Sequence, residues 1–373
     1  MRVGVLTLPL HTNYGGILQA YALQKVLLDM GHEVVLFDSY PQPPKMFPFP
    51  MQYAFYLKRI ILKFFKRYNS VPVFYEKRQI ELYPLKEHVR QFYRNNITHV
   101  NFNYLQPFVE EDYDALIVGS DQVWRPMYSP DIYSAYLSFA KDKNNIRRIA
   151  YAISFGTEDW EYTDDQTTVC SQLAQTFDAI SVREQSAIAL CRDHLKVDAT
   201  WVLDPTMLVD LRHYTTYISK SKAEYPSNMC YSYILDESED KQRILANLIK
   251  EQEYTPYIVK NIDDSENSNV PSVEDWLKAF YDAKFVFTDS FHGCVFSILF
   301  NKPFVVYGNK ERGMARFKSL LSMFGLDNRL ISSPSDVERV ASEPIDWDAV
   351  NKNLSAQRER SHFFLVKALN INH

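Results

Sequence analysis

A chain of 373 residues in which 41 Lys and Arg face 46 Asp and Glu carries a formal charge of −5, so it has no global field to draw nucleic acid. The composition, 46% hydrophobic and 23% charged, excludes a disordered or fibrous chain, and the length suggests two domains. Four separated cysteines with no zinc-like Cys/His spacing exclude a disulfide scaffold and give no metal centre, and the apolar runs fall far short of the roughly 18 residues of a membrane span.

Val3–Leu8 is apolar and β-branched, and reads as a buried strand. Pro9 and His11 cut the run and no small-residue cleavage site follows, so a cytoplasmic protein is expected rather than a secreted one. After the loop 11–16, Ile17, Ala20, Tyr21, Leu23, Val26, Leu27 and Met30 recur at helical spacing, and Glu33–Asp38 reads as a second strand. Strand, glycine-bearing loop, helix and strand make a βαβ unit, the building block of parallel sheets.

Five prolines between Pro41 and Pro50 interrupt this pattern. Leu57, Ile60, Ile61, Phe64, Phe65 and Tyr68 then mark an amphipathic helix whose other face holds Lys58, Arg59, Lys63, Lys66 and Arg67. Such a helix (segment 55–68) suits peripheral contact with an anionic membrane, or packing on its own domain with the basic face in water. The segment 41–110 therefore reads as an insertion.

Strand-like runs resume at Ala115–Gly119, Ile149–Ser154, Ala179–Val182 and Trp201–Leu203. A second βα series covers strands at Met229–Leu235, Tyr257–Val259, Phe285–Thr288 and Phe304–Val306, and helices at 241–250, 273–281, 293–300 and 314–324. Ala349–Leu369 reads as a long terminal helix. The expected organisation is a first Rossmann-like domain at 1–207, a second at 208–350, and a terminal helix in 351–373 that packs back on the first.

Ligands of such sheets bind beyond the carboxyl ends of strands, where helix N-termini point. Thr288-Asp289-Ser290-Phe291-His292-Gly293 follows a strand and opens a helix. Ser290 can cap it, the free N–H groups at Ser290, His292 and Gly293 can hold an anion, and His292 can donate a proton to it; the alternative is a structural histidine beside a plain cap. Arg183, at the end of the strand in Ser181-Val182-Arg183-Glu184, suits bidentate binding of phosphate or carboxylate, or a salt bridge with Glu184.

Asn13-Tyr14-Gly15-Gly16 with Gln19 offers either a tight βα turn or a close backbone approach to a sugar or phosphate. Arg312 and Arg316 oppose the dipole of the helix they open, which favours an anion nearby; otherwise they are solvated surface charge. Ser120, Asp121 and Trp124 suit a sugar, through carboxylate–hydroxyl bonds and an aromatic face, or they are a capping acid and a core tryptophan.

Together the segments GVLTLPLHTNYGGILQAYALQKVL, DALIVGSDQVWRP, ISVREQSA, LDPT, FVFTDSFHGCVFSILFNKPFVV and RGMARFKSLL resemble the polysaccharide pyruvyl transferase family, in that family's order. The resemblance implies an α/β, GT-B-like fold, two Rossmann-like domains with parallel sheets facing a cleft. It implies transfer of a pyruvyl group from phosphoenolpyruvate to two hydroxyls of a glycan sugar as a ketal, in capsule, exopolysaccharide or cell-wall polymer synthesis, often on lipid-linked acceptors. His292 of SFHG and Arg183 of VRE are the donor-associated residues it implies, with Arg312 and Arg316 as the later arginines. The chemistry needs an acid at the donor, assigned to His292, and a base at the acceptor, Asp121 or Glu184. It requires no metal or other cofactor. The competing readings are a GT-B glycosyltransferase using a nucleotide sugar and an inactive glycan-binding protein.

Overall fold

The computed structural model describes residues 1–10, 13–38, 51, 53, 56–58, 60, 83, 87–101, 112–129, 131–143, 145–260, 270–308 and 313–370. The Pro-rich segment and Arg312 lie outside the described residues. So does most of the basic helix expected at 57–68, of which only Leu57, Lys58 and Ile60 are described, all three exposed.

The first sheet holds β1 (Arg2–Leu6), β2 (Glu33–Phe37), β3 (Val100–Asn101), β4 (Ala115–Gly119), β5 (Arg147–Ile153), β6 (Ala179–Val182) and β7 (Thr200–Trp201). Their order is β3-β2-β1-β4-β5-β6-β7, every pairing parallel. Sequences such as ALIVG in β4, buried at every residue, are what a sheet covered on both faces requires. The second sheet, β12-β11-β10-β8-β9, is also parallel. It comprises β8 (Met229–Ile234), β9 (Thr255–Lys260), β10 (Phe285–Thr288), β11 (Phe304–Tyr307) and β12 (Leu330–Ile331).

In chain order the α-helices bounded by described residues are α1 (Tyr14–Asp29), α2 (Glu87–Asn96), α3 (Asp164–Ala174), α4 (Ser186–Leu190), α5 (Leu211–Ile218), α6 (Glu239–Gln252), α7 (Val273–Asp282), α8 (Phe291–Leu299), α9 (Ala315–Phe324), α10 (Val337–Ser342) and α11 (Trp347–Leu369). Two of them join the sheets. α1 is capped by Asn13, which accepts from Gly15 N at 3.0 Å, and it carries Tyr14 onto Trp276 of α7, rings stacked at 5.2 Å. α8, FHGCVFSIL, is buried at every position, as a helix apolar all round should be. One continuous core contains residues of both helices and of both sheets.

α11 starts beyond the second sheet and lies along the first. Arg147 Nη1 donates to Leu369 O at 2.7 Å, Leu203 N donates to Ser361 Oγ at 3.0 Å, and Arg358 Nε donates to Met207 O at 2.5 Å.

Strand order reverses between β1 and β4 in the first sheet and between β8 and β10 in the second. Each reversal opens a crevice beyond the strand ends, the usual ligand position in such sheets. Leu8 and Asn13 follow β1, Asp121 and Gln122 follow β4, Leu235 follows β8, and Asp289–His292 follow β10. These residues from both crevices line one pocket.

Candidate active site

The pocket has a volume of about 120 Å³ and is completed by Tyr128 and Arg316. A larger groove of about 430 Å³ runs between β6, β7 and α11, but all four of its charged residues, Asp178, Asp198, Arg360 and Lys367, are exposed. Convergent buried polar groups mark the smaller pocket as the chemical one.

His292 stands in the first turn of α8, 6% exposed. Ser290 caps that helix by accepting from Gly293 N at 3.3 Å. That bond takes up the Gly293 N–H, and the Ser290 N–H donates to Thr288 Oγ1 at 3.0 Å, so the anion-holding role expected of both passes to the two amides between them, which have no partner within the helix. Asp289 ties β10 to the β8 loop: it accepts from Leu235 N at 2.6 Å, Asp236 N at 3.1 Å and Lys241 Nζ at 2.7 Å.

His292 Nε2 is buried and has no hydrogen-bond partner among the described residues; Asp204 Oδ2 is 3.8 Å away. Burial holds the imidazole below its ordinary pKa, with Arg183 and Arg316 pushing the same way and Asp204 and Asp121 opposing them. Asp204 is itself fully buried. Burial pushes its carboxyl up, but Arg183, His292 and Thr206 together outweigh that and hold it below the usual range.

Arg183 does not line the pocket. Its guanidinium donates to Asp204 Oδ2 at 2.7 Å and approaches Asp121 Oδ1 at 3.4 Å, and its carbon lies 4.3 Å over the Phe291 ring. The expected clamp on donor phosphate is therefore replaced by a clamp on two carboxylates, one of which, Asp121, faces the pocket. The salt bridge to Glu184 does not form either. Glu184 is fully buried, accepts from Ser154 Oγ and from Gly156 N at 3.1 Å, and burial raises its pKa, so it is out of reach as a base.

Arg316 is the cation that does line the pocket. Its guanidinium carbon is 5.6 Å from the Phe291 ring centre, and burial together with like-charged Arg183 lowers its pKa to about 10. Asp121 reaches the pocket because Ser120 and Asp121 both adopt left-handed backbone, φ 38° and 60°. Such non-glycine residues cost of order 1–3 kcal/mol each and concentrate at functional sites. Ser120 Oγ lies behind, 3.2 Å from Asp204 Oδ2.

Four expected sugar contacts are buried away from the pocket instead, the first being Ser120, which is wholly buried against Asp204. Trp124 is wholly buried, stacks on Tyr136 at 4.2 Å and donates to Ala135 O at 2.9 Å. Gln19 is wholly buried and donates to Thr7 Oγ1 at 2.8 Å. Tyr14 donates to Pro271 O at 2.6 Å. The Trp124 indole and the Tyr14 phenol satisfy themselves inside the protein, while Gln19 keeps a buried Oε1 with no partner among the described residues. Gly15 and Gly16 do mark a close approach, but what Gly15 admits is the His292 ring, while Gly16 faces Asn13 and Asp121.

Beside the pocket, the halves touch through backbone. Gly313, at φ 97°, packs against the carbonyl of Gly156. Gln185 N donates to Ser319 Oγ at 3.0 Å, and Lys318 pairs with Glu158 at 3.0 Å across the same junction.

A family model for polysaccharide pyruvyl transferases matches residues 13–311, the span that supplies all of the pocket except Leu8 and Arg316. The chain belongs to the polysaccharide pyruvyl transferase family. No curated protein matches the sequence. Among solved structures, it is similar to UDP-N-acetylglucosamine 2-epimerase from Rickettsia bellii, with a TM-score of 0.51 and 11% identity, covering 99% of this chain and 97% of that one. It is also similar to the UDP-GlcNAc 2-epimerase from Methanocaldococcus jannaschii, with a TM-score of 0.50 and 9% identity, covering 98% and 99%. At such identities the likeness is one of fold: this member of the pyruvyl transferase family has a GT-B-like architecture, two Rossmann-like halves facing a cleft. Among the described residues, no helix is long and apolar enough to cross a membrane, and no cluster of His, Cys, Asp and Glu could hold a metal ion.

Sequence reasoning missed Asp204 and Tyr128. Asp204 had a signal, an acid directly after a strand and before a proline, where side chains point into the crevice. Tyr128 had none.

Proposed function

We propose that this protein transfers the pyruvyl group of phosphoenolpyruvate to two hydroxyls of a glycan sugar, closing a cyclic ketal and releasing phosphate. The observation that carries this reading is the pocket floor: His292 with an unpartnered buried Nε2, and Arg316, brought together where both sheets reverse order. At roughly 10–15 Å³ of such space for each water-sized group, a pocket of about 120 Å³ holds about ten heavy atoms, the size of this donor.

The donor carries a carboxylate and a phosphate. Arg316 and the first amides of α8 are the partners for them. His292 delivers a proton from Nε2 to the donor methylene, which becomes a methyl group and leaves a cationic centre at C2. One sugar hydroxyl adds there, phosphate departs, and the second hydroxyl closes the ring. Of the two hydroxyl protons, one makes good the proton spent on the methyl carbon and the other leaves on phosphate. Asp121, on the same floor, takes the hydroxyl proton as base. Arg183 holds Asp121 from behind and is itself anchored by Asp204.

The acceptors would be capsule, exopolysaccharide or cell-wall glycans still attached to lipid, met in the cytoplasm at the inner membrane face. Flotation with anionic liposomes tests the contribution of the basic segment 55–68. The reaction itself is tested by incubating the protein with phosphoenolpyruvate and lipid-linked glycans. Phosphate release with the mass gain of a pyruvyl ketal supports the reading. Stabilisation by UDP-sugars but not by phosphoenolpyruvate in a thermal-shift assay would move it to nucleotide-sugar transfer, and binding of glycan with no turnover would leave a glycan-binding protein.

A further inference from the structure

The pocket has two levels. His292 and Arg316 lie buried on its floor, whereas Leu8, Asn13, Tyr128 and Leu235 line it with side chains partly or fully open to solvent. A three-carbon dianion occupies the floor and its volume. A second reactant of sugar size has no room beside it and approaches over the rim.

Tyr128 is the aromatic ring of that rim. It is held from its own turn: Tyr128 N donates to Arg125 O at 3.0 Å, and Ser129 Oγ donates to Val123 O at 2.6 Å. The Arg125 guanidinium carbon sits 5.4 Å from the ring centre. Arg125 is in turn fixed by two bonds of 2.9 Å to Glu161 and one of 3.2 Å to Gln122. The ring is thus positioned by a buried, doubly anchored cation, yet it makes no hydrogen bond of its own among the described side chains. A planar ring held rigid at a pocket mouth presents an apolar face of the kind that covers the C–H face of a pyranose. Across the rim, Asn13 spends its Oδ1 on the helix cap and keeps its amide nitrogen to donate to a hydroxyl.

We propose that Tyr128 is the stacking platform of the acceptor sugar, oriented by Arg125, so that the hydroxyls of a hexopyranose are presented to Asp121 and the donor beneath. This deepens the proposed pyruvyl transfer and rests on it. It assigns to Tyr128 the aromatic contact that the sequence suggested for Trp124.

The test separates the two claims. Saturation-transfer NMR with a panel of methyl hexopyranosides reads binding without turnover. The wild type should saturate the protons on one pyranose face of at least one sugar, Tyr128→Phe should keep the effect, and Tyr128→Ala should lose it. Phosphate release from phosphoenolpyruvate reads the reaction. There Tyr128→Ala should raise the acceptor KM by about three- to tenfold, the loss expected for one stacked ring, with the donor KM within twofold of wild type. Tyr128→Leu, which keeps bulk without the ring, covers a failure of the alanine variant to fold. Wild-type turnover with an unchanged acceptor KM in the leucine and alanine variants overturns the platform while leaving the reaction standing. A wild type that binds no pyranoside overturns it too. Sugar binding lost in Tyr128→Ala without any phosphate release from the wild type keeps the platform and overturns the transfer.

Discussion

An ideal Cβ built on Gly15 falls 2.0 Å from Nδ1 of His292. The imidazole contributed by the second half therefore rests on the bare α-carbon of the helix that leads the first half. Gly15→Ala places a methyl group where the ring is. The exchange gains roughly 0.5–1 kcal/mol of helix propensity against about 1–3 kcal/mol for overpacking the buried ring, so the net change in folding is small and the clash shows chiefly in the site. The expected outcome is a loss of at least tenfold in donor affinity with a midpoint of unfolding within a few degrees of wild type. Unchanged phosphoenolpyruvate binding, followed by thermal shift, would contradict it.

Arg316 should serve ligand binding at the expense of the fold. Its pKa, lowered to about 10 by burial and by Arg183, means that its charge disfavours the folded state. The penalty is present below that folded value and is relieved as pH rises from about 10 toward the unfolded arginine range. Arg316→Met should consequently leave stability equal or raise it, and abolish stabilisation by phosphoenolpyruvate. A variant that is markedly less stable at neutral pH would show that its charge supports the fold instead.

Proton uptake should accompany donor binding. Burial keeps His292 neutral at pH 7 in the free protein, since its pKa lies below the ordinary 6.5. An anionic donor against Nε2 favours the protonated form, so affinity rises as pH falls from 8 to 6. Calorimetry in two buffers of different ionisation heat measures the uptake directly, and His292→Gln should reduce it to zero. Equal heats in both buffers for the wild type would remove this role from His292.

The Arg183–Asp204 pair is a stability element. The side chains are 2% and 0% exposed, and removing one partner of a buried pair typically costs about 3–5 kcal/mol. Asp204→Ala should lose that much in urea unfolding. Because the folded carboxyl is held below its unfolded value, the contribution is full above that unfolded value of 3.8 and fades as pH falls through the lower folded one. A wild-type midpoint for Asp204→Ala would show that the pair contributes nothing.

Gly313→Ala should strain the junction of the halves. Gly313 has φ 97°, and an ideal Cβ there falls 1.5 Å from the Gly156 carbonyl oxygen. A left-handed residue alone costs of order 1–3 kcal/mol. The clash adds to this and shifts Arg316, three residues on, so both stability and donor binding should drop. Retention of both would show that the junction tolerates a gap.

The parts of the fold that could be read from sequence were those whose burial is continuous. GVL, EVVLF, ALIVG and FVFT are apolar on both faces, and β1, β2, β4 and β10 fall there within two residues of expectation. The two-residue strands β3 and β12 are too short to show a period. α3 carried a legible start, a capping box in which Thr163 and Gln166 bond reciprocally, but its acidic first turn and sparse apolar positions hid the rest. In the site, SFHG was legible because a strand–helix junction fixes where its side chains point. Trp124, Gln19 and Tyr14 were not, since a pattern of residue types cannot tell a side chain aimed at a crevice from one aimed at the neighbouring helix. Arg183 misled for a related reason: an arginine at a strand end suits phosphate and carboxylate alike, and here two carboxylates of the protein itself, Asp121 and Asp204, claim it.

The return of α11 to the first sheet means that the polypeptide passes between the halves a second time, near residue 345 as well as near residue 210. Two covalent tethers define a line. Any separation that admits a bulky glycan must be a swing about that line, and groups far from it travel furthest.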